Sequence, residues 1–381
     1  MSSALFGYTA TRVAFFIGIA SNETVDDGLF KNIQVIEVLK MTDRDRQRLF
    51  ELISLWDDNK RFFELCSAYL VNCPELIEKR TVEALTEGGA FTVREALVAL
   101  LSSAFGLDYD NRDDRRIIRE YLEPSVRILD KSKYENDPYF KRIPLSDISR
   151  KGWEIRMESY PAYRAVIADD LTEAEGRHIP PIGFFEEEFK FPAVLEDGNE
   201  WMTLTPVDTD TVREDIERAH GRVVTFGLGL GYYAFMVSER ECVEEITVVE
   251  KSEDVIELFK EYVLPYFPHK EKVRIINADA FEYAAGEMVG ERYDVAFVDT
   301  WRDASDGAPM YLRMKALEHL HPETSFSYWV EGFIRSRIKA YKLSKMLEKL
   351  DTGAADAPKS YEKALAYIED FSDVSPLEME P

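Results

Sequence analysis

Three glycines at alternate positions follow an apolar run in this chain of 381 residues. Residues 223–231 are Val-Val-Thr-Phe-Gly-Leu-Gly-Leu-Gly, so the run ends in Gly227, Gly229 and Gly231. An apolar run, a glycine-rich turn and a second apolar segment predict a buried strand, a tight turn and the start of a helix. Glycines at the turn let a ligand reach the backbone, and the helix N-terminus offers free N–H groups. The plainer alternative is a glycine-rich turn without a ligand.

Acidic residues follow at the ends of further predicted strands. They are Glu250 after the strand 245–250, Asp279 after the strand 273–277, and Asp299 at the end of the strand 293–299. A carboxylate at the tip of the strand beside a glycine turn can accept hydrogen bonds from both hydroxyls of a ribose. Asp279 has a structural alternative, because an Asp before a helix can cap its N-terminus. With a further strand at 325–330, strands and helices alternate, which predicts a mostly parallel α/β sheet.

The glycine spacing distinguishes two ligand classes. The dinucleotide fingerprint G-x-G-x-x-G requires glycine at position 232, which is Tyr232 here. The G-x-G-x-G pattern instead resembles motif I of the class I S-adenosylmethionine (SAM) dependent methyltransferases, and the resemblance covers residues 200–332. It implies a Rossmann-like core, with a doubly wound and mostly parallel sheet, and SAM as the cofactor. In that family an acid at the position of Asp279 contacts the adenine amino group, and an apolar neighbour lies along the ring. The resemblance assigns these residues to cofactor binding: Gly227, Gly229, Gly231, Tyr232, Glu250, Asp279, Ala280, Phe281 and Asp299.

A predicted hairpin before the core is similar to one branch of this superfamily, the spermidine synthases. Residues 184–195 and 201–205 have extended patterns, and Asp197-Gly198 between them is a hairpin signal. That branch uses decarboxylated SAM and transfers an aminopropyl group to a polyamine amine. The loop after the fourth strand departs from the branch pattern Asp-Ser-Ser/Thr-Asp, because residues 299–303 are Asp-Thr-Trp-Arg-Asp. The chain therefore resembles a relative of that branch with a changed or unknown acceptor.

Residues in that loop and the helix after it are candidates for chemistry and for acceptor binding. Asp299 and Asp303 are the candidate catalytic acids, Trp301 is a candidate to stack on the acceptor, and Tyr311 lies in the helix expected to cover it. A polar or packed loop residue is the plainer explanation for all of them except Asp299, which ends a strand beside the expected crevice. Transfer from a sulfonium requires that the acceptor be positioned and water excluded, with a base only where the attacking atom loses a proton.

Three functions remain open on these patterns. The first is a SAM-dependent methyltransferase, a transferase acting on an unidentified small-molecule acceptor. The second is a spermidine synthase-like aminopropyltransferase that uses decarboxylated SAM. The third is a SAM-fold protein without chemistry that serves as a binding module. The displaced Asp303 argues against the second, and the intact set of motif residues argues against the third.

The chain is predicted to have four parts. They are a mainly helical N-terminal domain at 1–155, a connecting segment with a β-hairpin at 156–206, the SAM-binding core with a C-terminal helix at 207–350, and an acidic tail at 351–381. Helical periodicity in the first part predicts the helices Phe30–Lys40, Asp43–Trp56, Arg61–Val71, Glu75–Leu85, Val93–Phe105 and Asp113–Leu122. In SAM enzymes such domains often select the acceptor or form dimers, so a homodimer is one expectation.

The end of the chain combines a basic and an acidic segment. Residues 335–349 have a helical period, with basic side chains on one side and apolar side chains on the other, which favours a packed amphipathic helix over an RNA or membrane contact. A last helix near 361–371, with a loose end beyond it, is expected in the acidic tail.

Composition limits the class of protein. The formal net charge of −25 argues against general nucleic-acid binding, because a polyanion requires Lys and Arg, and it suits a cationic acceptor such as an amine. The apolar stretch at 13–20 is too short to cross a bilayer and lacks the features of a signal peptide. Three unclustered cysteines and scattered histidines predict a reducing compartment and no metal site. We therefore expect a cytoplasmic enzyme without membrane contact.

Overall fold

A computed structural model describes residues 41–145, 148–150, 152–302 and 304–380. The part that precedes the glycine strand is mainly helical up to residue 142, with one strand among the helices, and mainly strands after that. The helices are α1 (Asp43–Asn72), α2 (Lys79–Thr86), α3 (Val93–Ala104), α4 (Arg112–Ile117), α5 (Lys131–Glu135) and α6 (Pro138–Arg142). The strands are β1 (Val126–Leu129), β2 (Ile148–Arg150), β3 (Trp153–Tyr160), β4 (Val166–Ile167), β5 (Thr172–Ala174), β6 (Arg177–Ile179), β7 (Ile182–Phe185), β8 (Phe189–Glu196) and β9 (Asn199–Thr203).

Strands and helices alternate in the rest of the chain. The helices are α7 (Pro206–Asp210), α8 (Arg213–Arg218), α9 (Tyr232–Ser238), α10 (Glu253–Tyr262), α11 (Ala280–Ala285), α12 (Ala304–Lys315), α13 (Glu331–Thr352) and α14 (Tyr361–Glu369). The strands are β10 (Gly221–Phe226), β11 (Val243–Glu250), β12 (Val273–Asn277), β13 (Val295–Val298) and β14 (Ser325–Tyr328). A 3₁₀ turn, Pro376–Met379, follows α14.

These strands form a five-stranded sheet in the order β12-β11-β10-β13-β14. Every neighbouring pair in it is parallel. The strand order changes direction at β10, and ligands in open α/β sheets bind beyond the carboxyl ends of the strands at such a point. The mixed α/β architecture with this sheet is consistent with a Rossmann-like fold, and each of its strands lies where the sequence predicts one.

The central strand is buried on both faces. Val223, Val224 and Phe226 of β10 are buried between β11 and β13, which explains why the sequence there is continuously apolar rather than alternating. Side chains cap the helices that return from the neighbouring strands, since Ser252 accepts from the Val255 N–H and Asp279 from the Phe281 N–H. The strand ends on one edge of the sheet are thereby fixed in position.

The predicted hairpin before the core belongs to a larger unit. β8 and β9 pair across Asp197 and Gly198 as expected, but β8 also pairs with β3, which gives the four-stranded antiparallel order β2-β3-β8-β9. β7 lies between β1 and β4 in a separate mixed sheet. No described strand from this region joins the five-stranded sheet, which therefore ends at β14.

The first described helix is longer than predicted. The predicted helices 43–56 and 61–71 are a single helix, α1, of 30 residues. The polar residues between them do not break it, because Asn59 is buried and hydrogen-bonded to the Gly176 carbonyl and the Tyr121 hydroxyl. The predicted helix 75–85 begins later, at Lys79, and the one predicted at 113–122 is α4, which continues through a π turn, Ile118–Leu122. The helix predicted at 30–40 lies outside the described residues.

The basic segment near the end of the chain is the packed helix α13. Its Lys339 and Lys342 are only 4% and 2% exposed. Lys339 forms ion pairs with Glu173 and Glu369, and Lys342 forms one with Asp373. The basic face of α13 therefore holds the acidic segment that follows it.

The expectation of a loose end after the last helix is wrong. Val374 and Met379 are buried in the main hydrophobic cluster, and Ser375 and Glu378 cap the 3₁₀ turn reciprocally. The apolar side chains in this acidic segment are enough to hold it on the protein.

Two classes of feature are missing from the residues that the structure describes. None of their helices is long and apolar enough to cross a membrane. No group of three or more of their His, Cys, Asp or Glu side chains could hold a metal ion, and the cysteines are free.

Candidate functional site

A cavity of about 400 Å³ lies where the strands of the parallel sheet end. Most of the residues that the sequence assigns to a site line it: Gly227, Gly229, Tyr232, Glu250, Asp279, Ala280, Phe281, Asp299 and Trp301. Gly231 and Tyr311 do not line it, and Asp303 lies outside the described residues. Its volume falls within the usual range of small-molecule sites.

Two of the three glycines are required by the protein itself. Gly227 has φ of +96°, and a Cβ there would lie 1.9 Å from the Asp299 carbonyl oxygen. Gly231 is the N-cap of α9 with φ of +75°, and a Cβ there would lie 2.3 Å from the Phe259 ring. The protein's own packing therefore requires glycine at both positions, and a ligand role for these two glycines stays a prediction. At Gly229 an added Cβ meets the side chain of a cavity residue, Met202, at 3.1 Å, rather than backbone or a packed ring.

Glu250 is fixed by backbone hydrogen bonds at the end of β11. Its Oε2 accepts from the Leu228 N–H at 3.1 Å, and its Oε1 accepts from the Ser252 N–H at 2.7 Å. One carboxylate therefore ties the glycine turn to the start of α10. Each carboxylate oxygen has a second lone pair, so Glu250 can still accept a hydrogen bond from a ligand.

Asp279 fills the structural role that the sequence left open. Its Oδ1 accepts from the Phe281 and Glu282 N–H groups at 2.9 and 3.2 Å, which caps α11. Its Oδ2 lies 3.7 Å from the Lys251 Nζ, whose side chain is largely exposed. A capping role and a ligand role remain compatible. Oδ1 caps the helix, and Oδ2 contacts only the long, exposed Lys251 side chain, which a ligand can displace. We call Glu250 and Asp279 the carboxylate end of the cavity.

A cation covers the apolar surface beside Asp279. The Arg313 guanidinium lies 3.9 Å from the centre of the Phe281 ring, and both residues line the cavity. Guanidinium groups stack favourably on aromatic rings. Arg313 was not predicted, because its place depends on how α12 packs over the sheet.

Much of the remaining lining of the cavity is aromatic or contains sulfur. Three of the five tryptophans in the chain, Trp201, Trp301 and Trp329, line the cavity together with Met202 and Met310. Trp301 follows β13, Trp329 follows β14, and Trp201 lies in β9. We call these three side chains the tryptophan end. The sequence signals Trp329 only indirectly, because it stands at the end of a predicted strand, where ligands bind in such sheets.

Two of these indoles differ in whether their N–H group has a hydrogen-bond acceptor. The Trp329 Nε1–H donates to the Thr211 Oγ1 at 3.0 Å. Trp301 is 5% exposed and stacks on Tyr328 with 6.3 Å between ring centres, but its Nε1–H has no hydrogen-bond acceptor within the described part of the chain. Buried donors without acceptors are rare in native proteins, so this one requires an explanation.

Aromatic side chains from the N-terminal part support the glycine turn from behind. The Tyr139 hydroxyl, on α6, donates to the Leu230 carbonyl at 2.6 Å. The Tyr232 hydroxyl donates to the Asp137 Oδ2 at 2.9 Å, and burial raises the pKa of Asp137. Tyr232 therefore lines the cavity while its hydroxyl is engaged with the protein.

The other predicted acceptor residues lie in different places. Asp299 lines the cavity at the end of β13, and its backbone N–H donates to the Phe226 carbonyl at 2.8 Å. Tyr311 is 1% exposed and away from the cavity, where its hydroxyl donates to the Glu331 Oε1 at 2.8 Å. The helix that carries Tyr311 covers the cavity with Met310 and Arg313 instead.

Comparisons with known proteins give matches among solved structures alone. No family model matches the chain, and neither does any curated protein. The crystal structure of spermidine synthase from Thermotoga maritima matches at 15% identity and a TM-score of 0.27, covering 40% of this chain and 58% of that one. A spermidine synthase in complex with the transition state analogue AdoDATO matches at 14% and 0.27, covering 47% and 62%. The matched region spans less than two thirds of each relative, and at these scores the likeness carries no argument about activity.

Proposed function

We propose that this chain is a transferase whose donor is SAM or decarboxylated SAM. The observation that supports the proposal is the meeting of Glu250, Asp279 and the glycine turn in one cavity at the carboxyl ends of parallel strands. In this arrangement the ribose would donate hydrogen bonds to Glu250, and the purine would lie beside Asp279 and Phe281. The bound donor would supply a carbon activated by a positively charged sulfur.

The contacts of these residues fit such a nucleoside. Glu250 keeps lone pairs for ribose hydroxyls while its backbone hydrogen bonds hold it still. The Asp279 Oδ2 is the oxygen that capping does not use, so it is suited to accept from an amino group on the purine. Ala280 offers an apolar side chain for the base, which would share the Phe281 ring with the Arg313 guanidinium that stacks on it.

The acceptor would bind on the other side of β10. There the chain needs to orient the acceptor, exclude water and, where the attacking atom carries a proton, receive it. Asp299 is the candidate for that proton, since it lines the cavity between the two ends. Trp301 and Trp329, both 5% exposed, would exclude water.

Two donors are candidates within this proposal. SAM would make the chain a methyltransferase, and decarboxylated SAM would make it an aminopropyltransferase. Arg302 lines the cavity and suits the carboxylate that SAM alone carries. Asp299 suits the amine of either donor. Both must be tested, because Glu250, Asp279 and Ala280 suit the nucleoside that the two donors share.

Calorimetric titration with SAM, S-adenosylhomocysteine and decarboxylated SAM tests the proposal. We expect binding of at least one, and roughly 10- to 100-fold weaker binding to Glu250→Gln, the loss typical of a hydrogen bond to a charged group. Glu244→Gln is the matched control, because Glu244 is exposed on the same strand and does not line the cavity. Absence of heat from all three ligands with folded protein would refute the proposal. Binding without any turnover of a donor would favour a non-catalytic binding protein.

A further inference from the structure

Two neighbouring residues of the glycine turn line the cavity with N–H groups that the described part of the chain does not use. They are Gly229 and Leu230. The N–H groups on either side of them are used, because Leu228 donates to Glu250 and Gly231 donates to the Leu228 carbonyl at 2.8 Å. A ligand gains most from two such donors if the turn already keeps one conformation, since ordering a loop on binding costs affinity.

The sequence of the turn does not fix that conformation by itself. Gly229 and Gly231 flank Leu230 and have φ of +53° and +75°. Glycine adopts positive and negative φ about equally readily, so the backbone alone leaves the Leu230–Gly231 peptide free to turn over. The N–H of this peptide is held only from within the turn, by Leu228. Its carbonyl therefore needs a partner from elsewhere in the chain.

That partner comes from the N-terminal part of the chain. The Tyr139 hydroxyl, on α6, donates to the Leu230 carbonyl at 2.6 Å, and Tyr139 is fully buried. Its ring meets those of Tyr232 and Phe235 edge to face, with 5.4 Å between the ring centres in each case. Because buried carbonyls are almost always hydrogen-bonded, the orientation of this peptide depends on Tyr139.

A second contact, at the start of α6, fixes the start of α9. Tyr232 lines the cavity and donates its hydroxyl to the Asp137 Oδ2 at 2.9 Å. Asp137 also caps α6, since its Oδ1 accepts from the Tyr139 N–H at 2.8 Å. Neither Asp137 nor Tyr139 lines the cavity. These two residues can therefore affect a ligand only through the turn and the helix that they hold.

We infer that Tyr139 is a positioning residue of the donor site, because its hydroxyl holds the Leu230–Gly231 peptide in the orientation that leaves the Gly229 and Leu230 N–H groups free for a ligand. The use of these N–H groups by a donor rests on the proposed function, whereas the hold on the peptide does not. Tyr139 lies 91 residues before Leu230, so the N-terminal part of the chain is a component of the site.

Selective labelling of leucine carbonyl carbons and glycine nitrogens isolates this peptide. Leu-Gly occurs only twice in the chain, at 228–229 and 230–231, so an NMR spectrum that selects labelled Leu-Gly pairs contains two signals. We expect Tyr139→Phe to shift the Leu230–Gly231 signal, because the carbonyl loses its hydrogen bond while the ring stays. Tyr121→Phe is the matched control and should move neither signal. Tyr121 is also fully buried and donates its hydroxyl to Asn59 at 2.9 Å, but it does not line the cavity.

Titration of S-adenosylhomocysteine and decarboxylated SAM into the wild type and both variants tests the positioning role. Each variant loses one buried hydrogen bond, so both should lose a similar amount of stability, and only a role at the site separates them. We expect Tyr139→Phe to bind about fivefold more weakly than the wild type, and Tyr121→Phe to bind as tightly as the wild type.

Two results would overturn the inference. They are an unchanged Leu230–Gly231 signal in Tyr139→Phe and equal affinities of the two variants for the ligand. If the wild type binds neither ligand, the proposed function fails instead, and the two signals still decide whether Tyr139 holds the peptide.

Discussion

The carboxylate end and the tryptophan end of the cavity are built in different ways. The carboxylate end comes from consecutive strand-turn-helix units, and backbone N–H groups of Leu228, Ser252 and Phe281 hold its side chains. The tryptophan end comes from segments far apart in the chain and is held by side-chain packing. An end fixed by its own backbone can be recognised from a short motif, whereas an end assembled by packing exists only in the folded protein.

The largest effect is expected where the backbone of the carboxylate end is most crowded. Gly227→Ala would place a Cβ against the Asp299 carbonyl oxygen at a positive φ, so we expect a loss of roughly 3–5 kcal/mol in the free energy of unfolding. Gly198→Ala is the matched control, since its φ is +80° but a Cβ there meets nothing within 4 Å. It should cost about 1 kcal/mol. Equal losses in urea denaturation would mean that φ alone, and not the close approach, makes Gly227 necessary.

The next effect concerns the helix that follows the tryptophan end. Asp170 accepts from the Gly332 and Phe333 N–H groups at 2.8 and 3.1 Å, at the start of α13. Burial raises the pKa of Asp170 from its ordinary value of 3.8 to about 6. The folded state therefore binds more protons than the unfolded state between these values. Asp170 therefore contributes its full stabilisation below about pH 4 and loses it as the pH rises through about 6. The free energy of unfolding should fall by at most about 3 kcal/mol over this range.

Unfolding measured from pH 4 to pH 7 in the wild type and in Asp170→Asn checks this. The stability of the wild type relative to the variant should fall as the pH rises. Asp169→Asn, at the adjacent carboxylate that pairs with Arg127, controls for the loss of one negative charge. A relative stability that is constant or rises with pH would show that the backbone hydrogen bonds outweigh the effect of burial.

A smaller effect distinguishes two tryptophans within one end. Trp329→Phe removes a donor that Thr211 uses, whereas Trp301→Phe removes a donor without a described acceptor. Both changes delete the same atoms, so the Trp329–Thr211 hydrogen bond is the defined polar difference between them. We expect Trp329→Phe to lower the free energy of unfolding of the unliganded protein by about 1 kcal/mol more than Trp301→Phe. A larger loss in Trp301→Phe would indicate that its N–H is satisfied in the free protein.

The smallest effect separates the two roles of Asp279. Asp279→Ala removes the cap of α11 and should cost about 1 kcal/mol in stability, while Asp279→Asn keeps a capping oxygen and should cost a few tenths. Both should weaken the binding of the nucleoside donor, because both remove the negative charge. If Asp279→Asn binds the donor as tightly as the wild type, Asp279 acts only as a helix cap.

The parallel sheet and the carboxylate end could be predicted because their signals are local. Each strand is a short apolar run, and the glycines, Glu250 and Asp279 follow strands directly. The reason for Gly227 could not be predicted, because it depends on the Asp299 carbonyl of a strand that comes later in the chain.

The features that escaped prediction depend on distant partners. Nothing in the sequence around Asn59 shows that Tyr121 and Gly176 satisfy it and let α1 continue. The basic face of α13 was recognised, but the burial of Lys339 follows only from its pairing with Glu173 and Glu369. Met310 and Arg313 reach the cavity because of how α12 packs, which no local pattern encodes.

The three indoles around the cavity also make the order of ligand binding measurable. Because Trp201, Trp301 and Trp329 line the cavity, the intrinsic fluorescence of the unlabelled protein should respond to whatever enters it. Replacing Trp56 and Trp153, which do not line it, with Phe would leave emission from the cavity alone. Rapid mixing of that variant with donor and acceptor in either sequence would then reveal which one must arrive first.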